Sequence, residues 1–285
     1  MYGTKRSGKL KVISSSDETA SLEPRAAPPA DKPSLAIEIT GATLQYPIGT
    51  FVRGSLKSSL FGLLGHREKA PQVQFVDAIT NLDLSIQAGE RVGVIGSNGS
   101  GKSTLLRAMA GVYPLRSGSI SVTGQIGTLL DISLGFEPES TGRENIYYRG
   151  MVMGYSRKQI REFESEIVDF ASLGEFIDLP MRTYSAGMYV RLGFAVSTQF
   201  QPDVLLIDEV FGAGDASFAE RARARMNRIV ETAGIVVLVS HDLGLISSFC
   251  TRVIWMDRGR LVQDGSPEAV IPRFLEYMTS AAGSA

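Results

Sequence analysis

The sequence predicts an α/β fold built on a largely parallel sheet, and three observations carry that expectation. First, VLLIDE (204–209) and IVVLVSH (235–241) are continuous apolar runs bounded by polar residues, the pattern of strands buried on both faces. Second, RVGVIG (91–96) is a short β-branched run that ends in glycine, a strand followed by a turn. Third, stretches with helical spacing alternate with these strands, the order of elements in a layered α/β domain.

Composition narrows the class. The chain has 285 residues, of which 44% are hydrophobic and 21% charged, with a formal net charge of −1. That is enough chain for one large domain or two small ones. A near-neutral charge argues against a general nucleic-acid binder, which needs a basic footprint to neutralise phosphates. The single cysteine, Cys250, excludes an intramolecular disulfide framework and fits a reducing compartment. No apolar run approaches the ~18–20 residues that span a bilayer, and no apolar stretch follows the charged N-terminus as it would in a secretory signal. A soluble cytoplasmic protein is the expectation.

Along the chain, residues 1–34 read as a disordered tail rich in Ser, Pro, Ala and charge, with too few large apolar groups to offset ordering entropy. Lys5, Arg6, Lys9 and Lys11 make its start basic, which suits either a solvated tail or an arm attracted to anionic lipid. From Leu35 the signals change. AIEIT (36–40) and FVDAITNLDLSI (75–86) alternate apolar and polar residues, as half-buried strands do. Helix starts carry capping signatures at Thr141–Glu144, Ser156–Gln159 and Ser217–Glu220, and Ser266 before Pro267 caps the last helix. The block from about 137 to 197 is nearly all helical and is expected to form a separate lobe.

Gly96-Ser97-Asn98-Gly99-Ser100-Gly101-Lys102-Ser103-Thr104 matches G-x-x-x-x-G-K-[ST], after a predicted strand and opening a predicted helix. A glycine-rich turn exposes successive backbone N–H groups to an anion without Cβ interference, and the helix adds its positive dipole end. Lys102 is placed to reach the β- and γ-phosphates, and Ser103 to offer a hydroxyl to Mg²⁺. This is a nucleotide site. VLLIDE ends in a second phosphate element. Asp208 suits the metal. Glu209, which points to the opposite face of an extended strand, suits the attacking water as a base or positioning group. His241 ends IVVLVS at the sheet edge where ligands bind, in position to donate a hydrogen bond to a γ-phosphate.

With these residues in hand, the sequence resembles the ATP-binding subunit of ABC transporters from about Ile37 to Met278. The added discriminator is TYSAGM (183–188), followed by YVRLGFAV and lying between the phosphate loop and VLLIDE, where that family's signature loop belongs. The resemblance implies a P-loop core with a parallel sheet, an antiparallel β subdomain and a helical lobe, together spanning 35–278, with a short tail at 279–285. It implies that two copies sandwich two ATP molecules, with the signature of one clamping the γ-phosphate held by the other. Ser185 and the N–H groups near Gly187 are the donors carried over. Tyr46 falls where the family stacks an aromatic on adenine, and Asp215, in GAGD, at the loop that crosses the dimer. Catalytic roles fall to Glu209, His241 and Lys102.

The signature departs from the common Leu-Ser-Gly-Gly-Gln form. Ala186 replaces a glycine, keeping the N–H but disfavouring positive φ, and Met188 replaces glutamine. With LLDISLGFEPESTGRENIY before it, the YSAGM variant resembles one branch, the ATPases that export O-antigen, capsule or teichoic acid. The family's glutamine after QIGTLLD is also absent, leaving Asp131 or the nearby polar backbone to take its place. Between Tyr46 and Phe75 lies an unusually long segment. Its Leu56, Leu60, Leu63 and Leu64 stand at helical spacings, with Arg53, Lys57, Arg67 and Lys69 nearby. The resemblance directs it toward a membrane subunit and the polymer's lipid head; an ordinary helix packed on its own domain fits the same pattern. Some exporters carry a ~100-residue carbohydrate-binding sandwich after the ATPase; with about twenty residues following LVQDG, none is expected in this sequence.

The function implied is an ATPase subunit exporting a lipid-linked polysaccharide, peripheral on the cytoplasmic face of the inner membrane. Its partners would be a second copy and a separate polytopic permease, with the polysaccharide reached indirectly and no nucleic acid. The alternatives are an importer subunit for a small solute and a soluble, non-transport ATPase of the same family.

Overall fold

The computed structural model describes residues 10–13, 34–48, 74–130, 135–208 and 216–282. Most of the expected N-terminal tail, residues 49–73 of the long insertion, Asp131, Glu209, Asp215 and residues 283–285 lie outside the described residues.

Two sheets organise the chain. Strands β1 (Leu10–Ile13), β2 (Ala36–Ile48), β3 (Gln74–Gln87) and β5 (Ser117–Thr123) form an antiparallel sheet in the order β1-β5-β2-β3. β1 falls within the segment expected to be disordered and pairs antiparallel with β5, Leu10 opposite Val122. Its alternating Leu-Lys-Val-Ile is too short to stand out among polar neighbours, so only pairing reveals it.

The second sheet holds β4 (Arg91–Ile95), β6 (Ile126–Leu129), β7 (Val204–Asp208), β8 (Ile235–Val239), β9 (Arg252–Asp257) and β10 (Arg260–Gly265), ordered β10-β9-β4-β8-β7-β6. All its pairings are parallel except β9 with β10. The continuous apolar runs have a direct cause here. In β7, Val204 and Leu206 enter one core cluster while Leu205 and Ile207 enter another, and β8 divides the same way.

The first cluster lies between the sheets and encloses helix α1 (Lys102–Met109), whose Leu105, Leu106 and Met109 are fully buried. The second covers the far face of the parallel sheet with α5 (Ala216–Thr232), α6 (Leu243–Phe249) and α7 (Pro267–Ala282). α5 begins one residue before Ser217, so that serine lies inside the helix rather than capping it. α7 continues through Ala282, so residues 279–282 are helical where a tail was expected.

A third cluster belongs to the helical lobe, made of α2 (Gly142–Val152), α3 (Arg157–Ala171) and α4 (Ala186–Ser197). Reciprocal capping boxes start α2 at Thr141 with Glu144 and α3 at Ser156 with Gln159, each satisfying two helix-end donors. Among the described residues no helix is long and apolar enough to cross a membrane.

Candidate nucleotide site

Strand register assembles the site. Val94 of β4 and Asp208 of β7 both lie beside Val239 of β8. The carboxyl ends of three adjacent parallel strands therefore stop side by side, and the chain leaves them as the Gly96 loop, Asp208 and Ser240-His241. Ligands bind at this edge of such sheets because loops, not strand backbone, face the crevice there. His241 is exposed and adjoins Asp242, whose carboxylate caps α6 by accepting from Gly244 and Leu245 N–H at 2.9 and 3.0 Å.

The loop from Gly96 to Gly101 turns through positive φ at Gly96 (152°), Gly99 (78°) and Gly101 (104°) before α1 begins at Lys102. Lys102 is 7% exposed and folds back over its own loop, donating to the carbonyls of Gly96 at 2.8 Å and Ser97 at 2.9 Å. A buried ammonium held by two neutral carbonyls exchanges them favourably for phosphate oxygens, since a full negative charge attracts it more strongly than a carbonyl dipole. Ser103 and Thr104 occupy the first turn of α1. Ser103 and Asp208 carry hard oxygens, the type of donor that Mg²⁺ takes beside substrate phosphates. Among the described residues no cluster of three or more His, Cys, Asp or Glu could hold a metal alone. The residues present fit a metal that arrives with a nucleotide.

Tyr46, on β2, donates its hydroxyl to Thr104 Oγ1 at 3.2 Å and stands edge-on to Tyr113, ring centroids 5.3 Å apart. Burial raises its pKa above the ordinary phenol value. It is tied to the first turn of α1, beside the phosphate loop. Tyr113 escaped the sequence reading because nothing in its local pattern marks a contact with a strand so distant in the chain.

Ser185 is the N-cap of α4, its hydroxyl accepting from Met188 N–H at 3.3 Å. Ala186 starts the helix and is not among the described non-glycine residues at positive φ, so the exchange of glycine for alanine brings no backbone strain. A Cβ built on Gly187 would meet only Ser185 Oγ within 4 Å, so the space over this helix start is open. A pocket there is lined by Ser185, Gly187, Met188 and Arg191 together with Ser172 and Phe176. Tyr184 and Met188 pack into the lobe's cluster, whereas Leu105 and Leu106 behind the phosphate loop pack into the cluster between the sheets. The two expected halves of the pocket thus belong to different packing units of one chain.

The lobe holds a further residue that sequence reasoning missed. Asn145, fully buried, accepts from Glu137 N–H at 2.7 Å and donates to the Glu137 and Thr141 carbonyls, each at 2.9 Å. It secures the loop that enters the lobe. An asparagine directly after the box-forming Glu144 carries no signal of burial.

Comparison with known proteins agrees with this arrangement. The family profile described as ABC transporter matches residues 79–212. An O-antigen export system ATP-binding protein of Myxococcus xanthus is 40% identical over 227 residues, 80% of this chain and 52% of that protein. One from Klebsiella pneumoniae is 36% identical over 245 residues, 85% of this chain and 98% of the relative. The chain thus spans about half the length of the first relative and nearly all of the second. A solved dimeric ATP-binding cassette bound to ADP and Pi superposes with a TM-score of 0.58 at 20% identity, covering 81% of this chain and 98% of the other. On the glycine loop, the sheet edge it leaves and these relatives, the chain belongs to the ABC transporter family of ATP-binding proteins.

Proposed function

We propose that this protein is the ATP-hydrolysing subunit of an ABC transporter that exports a lipid-linked polysaccharide, working at the cytoplasmic face of the inner membrane. One observation carries the ATPase reading: three parallel strands bring the glycine loop with Lys102, Asp208 and His241 to one edge of the sheet. The export reading is supported by relatives named for O-antigen export.

In this reading Gly96, Ser97, Asn98, Gly99, Ser100 and Gly101 wrap the phosphates with backbone N–H groups, and Lys102 pairs with the β- and γ-phosphate oxygens. Ser103 and Asp208 hold Mg²⁺, which neutralises charge on the phosphates when bound. Thr104 closes the loop's first helical turn, and Tyr46 stands beside it on the adenine side. Glu209 orients the attacking water and accepts its proton, while His241 donates to the γ-phosphate. A second copy supplies Ser185 and the Gly187 N–H to the same γ-phosphate, with Asp215 at the crossing loop. The open space over Gly187 and the separate packing of the two half-sites support a pocket completed between copies. Closing and reopening of that pair, driven by differential ATP affinity of the two states, would move a separate membrane-spanning partner.

The test is genetic and chemical. A strain lacking this protein should accumulate a lipid-linked glycan on the cytoplasmic side, with export restored by the wild-type chain but not by Lys102→Ala. An unaltered glycan pool would refute export and favour an importer or soluble role.

A further inference from the structure

The phosphate loop rests on a distant hairpin. β9 and β10 join through Arg258 and Gly259, at φ 45° and 76°. Two consecutive residues at positive φ make the tight type I′ connection between antiparallel strands. The tip of this hairpin is wedged between the loop and β3. Gly259 N–H donates to the Ser100 carbonyl at 2.9 Å, and the Gly259 carbonyl accepts from Thr80 N–H at 2.9 Å. The seam has no room for side chains. A Cβ on Gly259 would stand 2.7 Å from the Ala78 carbonyl oxygen, and one on Gly101 would stand 2.6 Å from the same atom. One on Gly96 would stand 2.2 Å from the Met256 carbonyl oxygen. The nearest obstacle at each of the three is backbone, which cannot swing aside as a side-chain end can. Ser100, between these glycines, is 2% exposed.

We propose that Gly259 is a positioning residue for phosphate binding, its N–H setting the orientation of the Ser100–Gly101 peptide from behind the loop. The described chain has no cis peptide bonds. In a planar trans peptide the C=O and the N–H point in opposite directions. Holding the Ser100 carbonyl on the hairpin therefore aims the Gly101 N–H away from it. A donor aimed in advance needs no reorganisation when the anion arrives. The bond to Thr80 fixes the hairpin tip in turn, so β3, the hairpin and the loop move as one body. This inference rests on the reading of the loop as a triphosphate site.

The experiment uses the full chain and Mg-ATP. Calorimetric affinities are compared for wild type, Gly259→Ala and Arg258→Asn. Arg258 is exposed, and asparagine tolerates its left-handed φ, so that variant preserves the turn. Gly259→Ala should weaken Mg-ATP binding about tenfold or more, with Arg258→Asn unchanged. A folded Gly259→Ala protein that melts lower but binds Mg-ATP as tightly as wild type overturns the inference, because its glycine is then purely structural. Should the variant not fold, amide exchange of wild type decides. Coupling is reciprocal, so saturating Mg-ATP must slow exchange of the Gly259 N–H about tenfold, and unchanged exchange overturns the inference. Failure of the site reading is separate: wild type itself would then not bind Mg-ATP.

Discussion

Lys102 shows how little of a site a single residue's exposure reveals. At 7% exposed it looks like core, yet its ammonium lies on two loop carbonyls at the sheet edge. Truncating it to alanine removes charge-assisted bonds of about 1.5–3 kcal/mol each, so Lys102→Ala should weaken Mg-ATP binding by at least ~10-fold in calorimetry. Cys250 offers the opposite lesson. Burial, only partly opposed by Arg91, pushes its thiol pKa up to about 12. A thiolate-directed reagent at pH 8 should therefore leave the native protein unlabelled and react stoichiometrically once denaturant unfolds it. The glycine loop, Asp208 and His241 were legible in the sequence because each follows a buried strand directly. Tyr113 was not, since its partner lies on a distant strand, and Asn145 was not, since its partners are backbone atoms of the loop that enters its helix.

At the scale of elements, the lobe depends on a few polar devices. Thr141→Ala removes one half of a capping box and should cost about 1 kcal/mol, seen as a lower unfolding midpoint with an unchanged denaturant slope. Asn145→Ala takes the partner from the Glu137 N–H and from the carbonyls it serves, and should cost about 1–3 kcal/mol. A pH effect belongs here too. Burial alone would raise the Glu164 pKa, but the hydrogen bonds from Tyr147 and Arg143 outweigh it and the net direction is down. The hydrogen bond from Arg143 lowers Asp178 as well. Both native pKa values lie below ordinary carboxylate values of about 4, so their contribution is whole above that pH and lost as pH falls through the native values. Thermal melts of wild type and Arg143→Met should therefore differ at pH 7 and converge toward pH 3. Two of three capping signatures mark helix starts because the motif is local. Ser217 does not, since it already lies inside α5, which includes Ala216.

For the molecule as a whole, the sheets are joined by contacts that cross most of the chain. Arg252 donates to Glu90 at 3.0 Å, to the Ser85 carbonyl at 2.9 Å and to Asp264 at 2.6 Å, linking β9 and β10 to the end of β3. With the Gly259 hairpin this makes the antiparallel sheet and the nucleotide edge one mechanical unit. In the proposed reading, the pocket is complete only when a second copy brings its own α4. Glu209→Gln should retain Mg-ATP but not turn it over, and light scattering should report a dimer with Mg-ATP and a monomer without. Normal turnover by that variant would remove Glu209 from its assigned role.

Sequence alone determined the α/β class, the buried strands and the anion loop. These rest on short-range regularities: a two-residue alternation, an unbroken apolar run, a glycine spacing that only a tight turn needs. Which residues support the loop from behind was decided by tertiary structure. Gly259 and Ala78 meet it through backbone atoms, with Thr80 holding Gly259 in turn, and backbone atoms are the same in every residue, so no sequence pattern distinguishes the ones that touch.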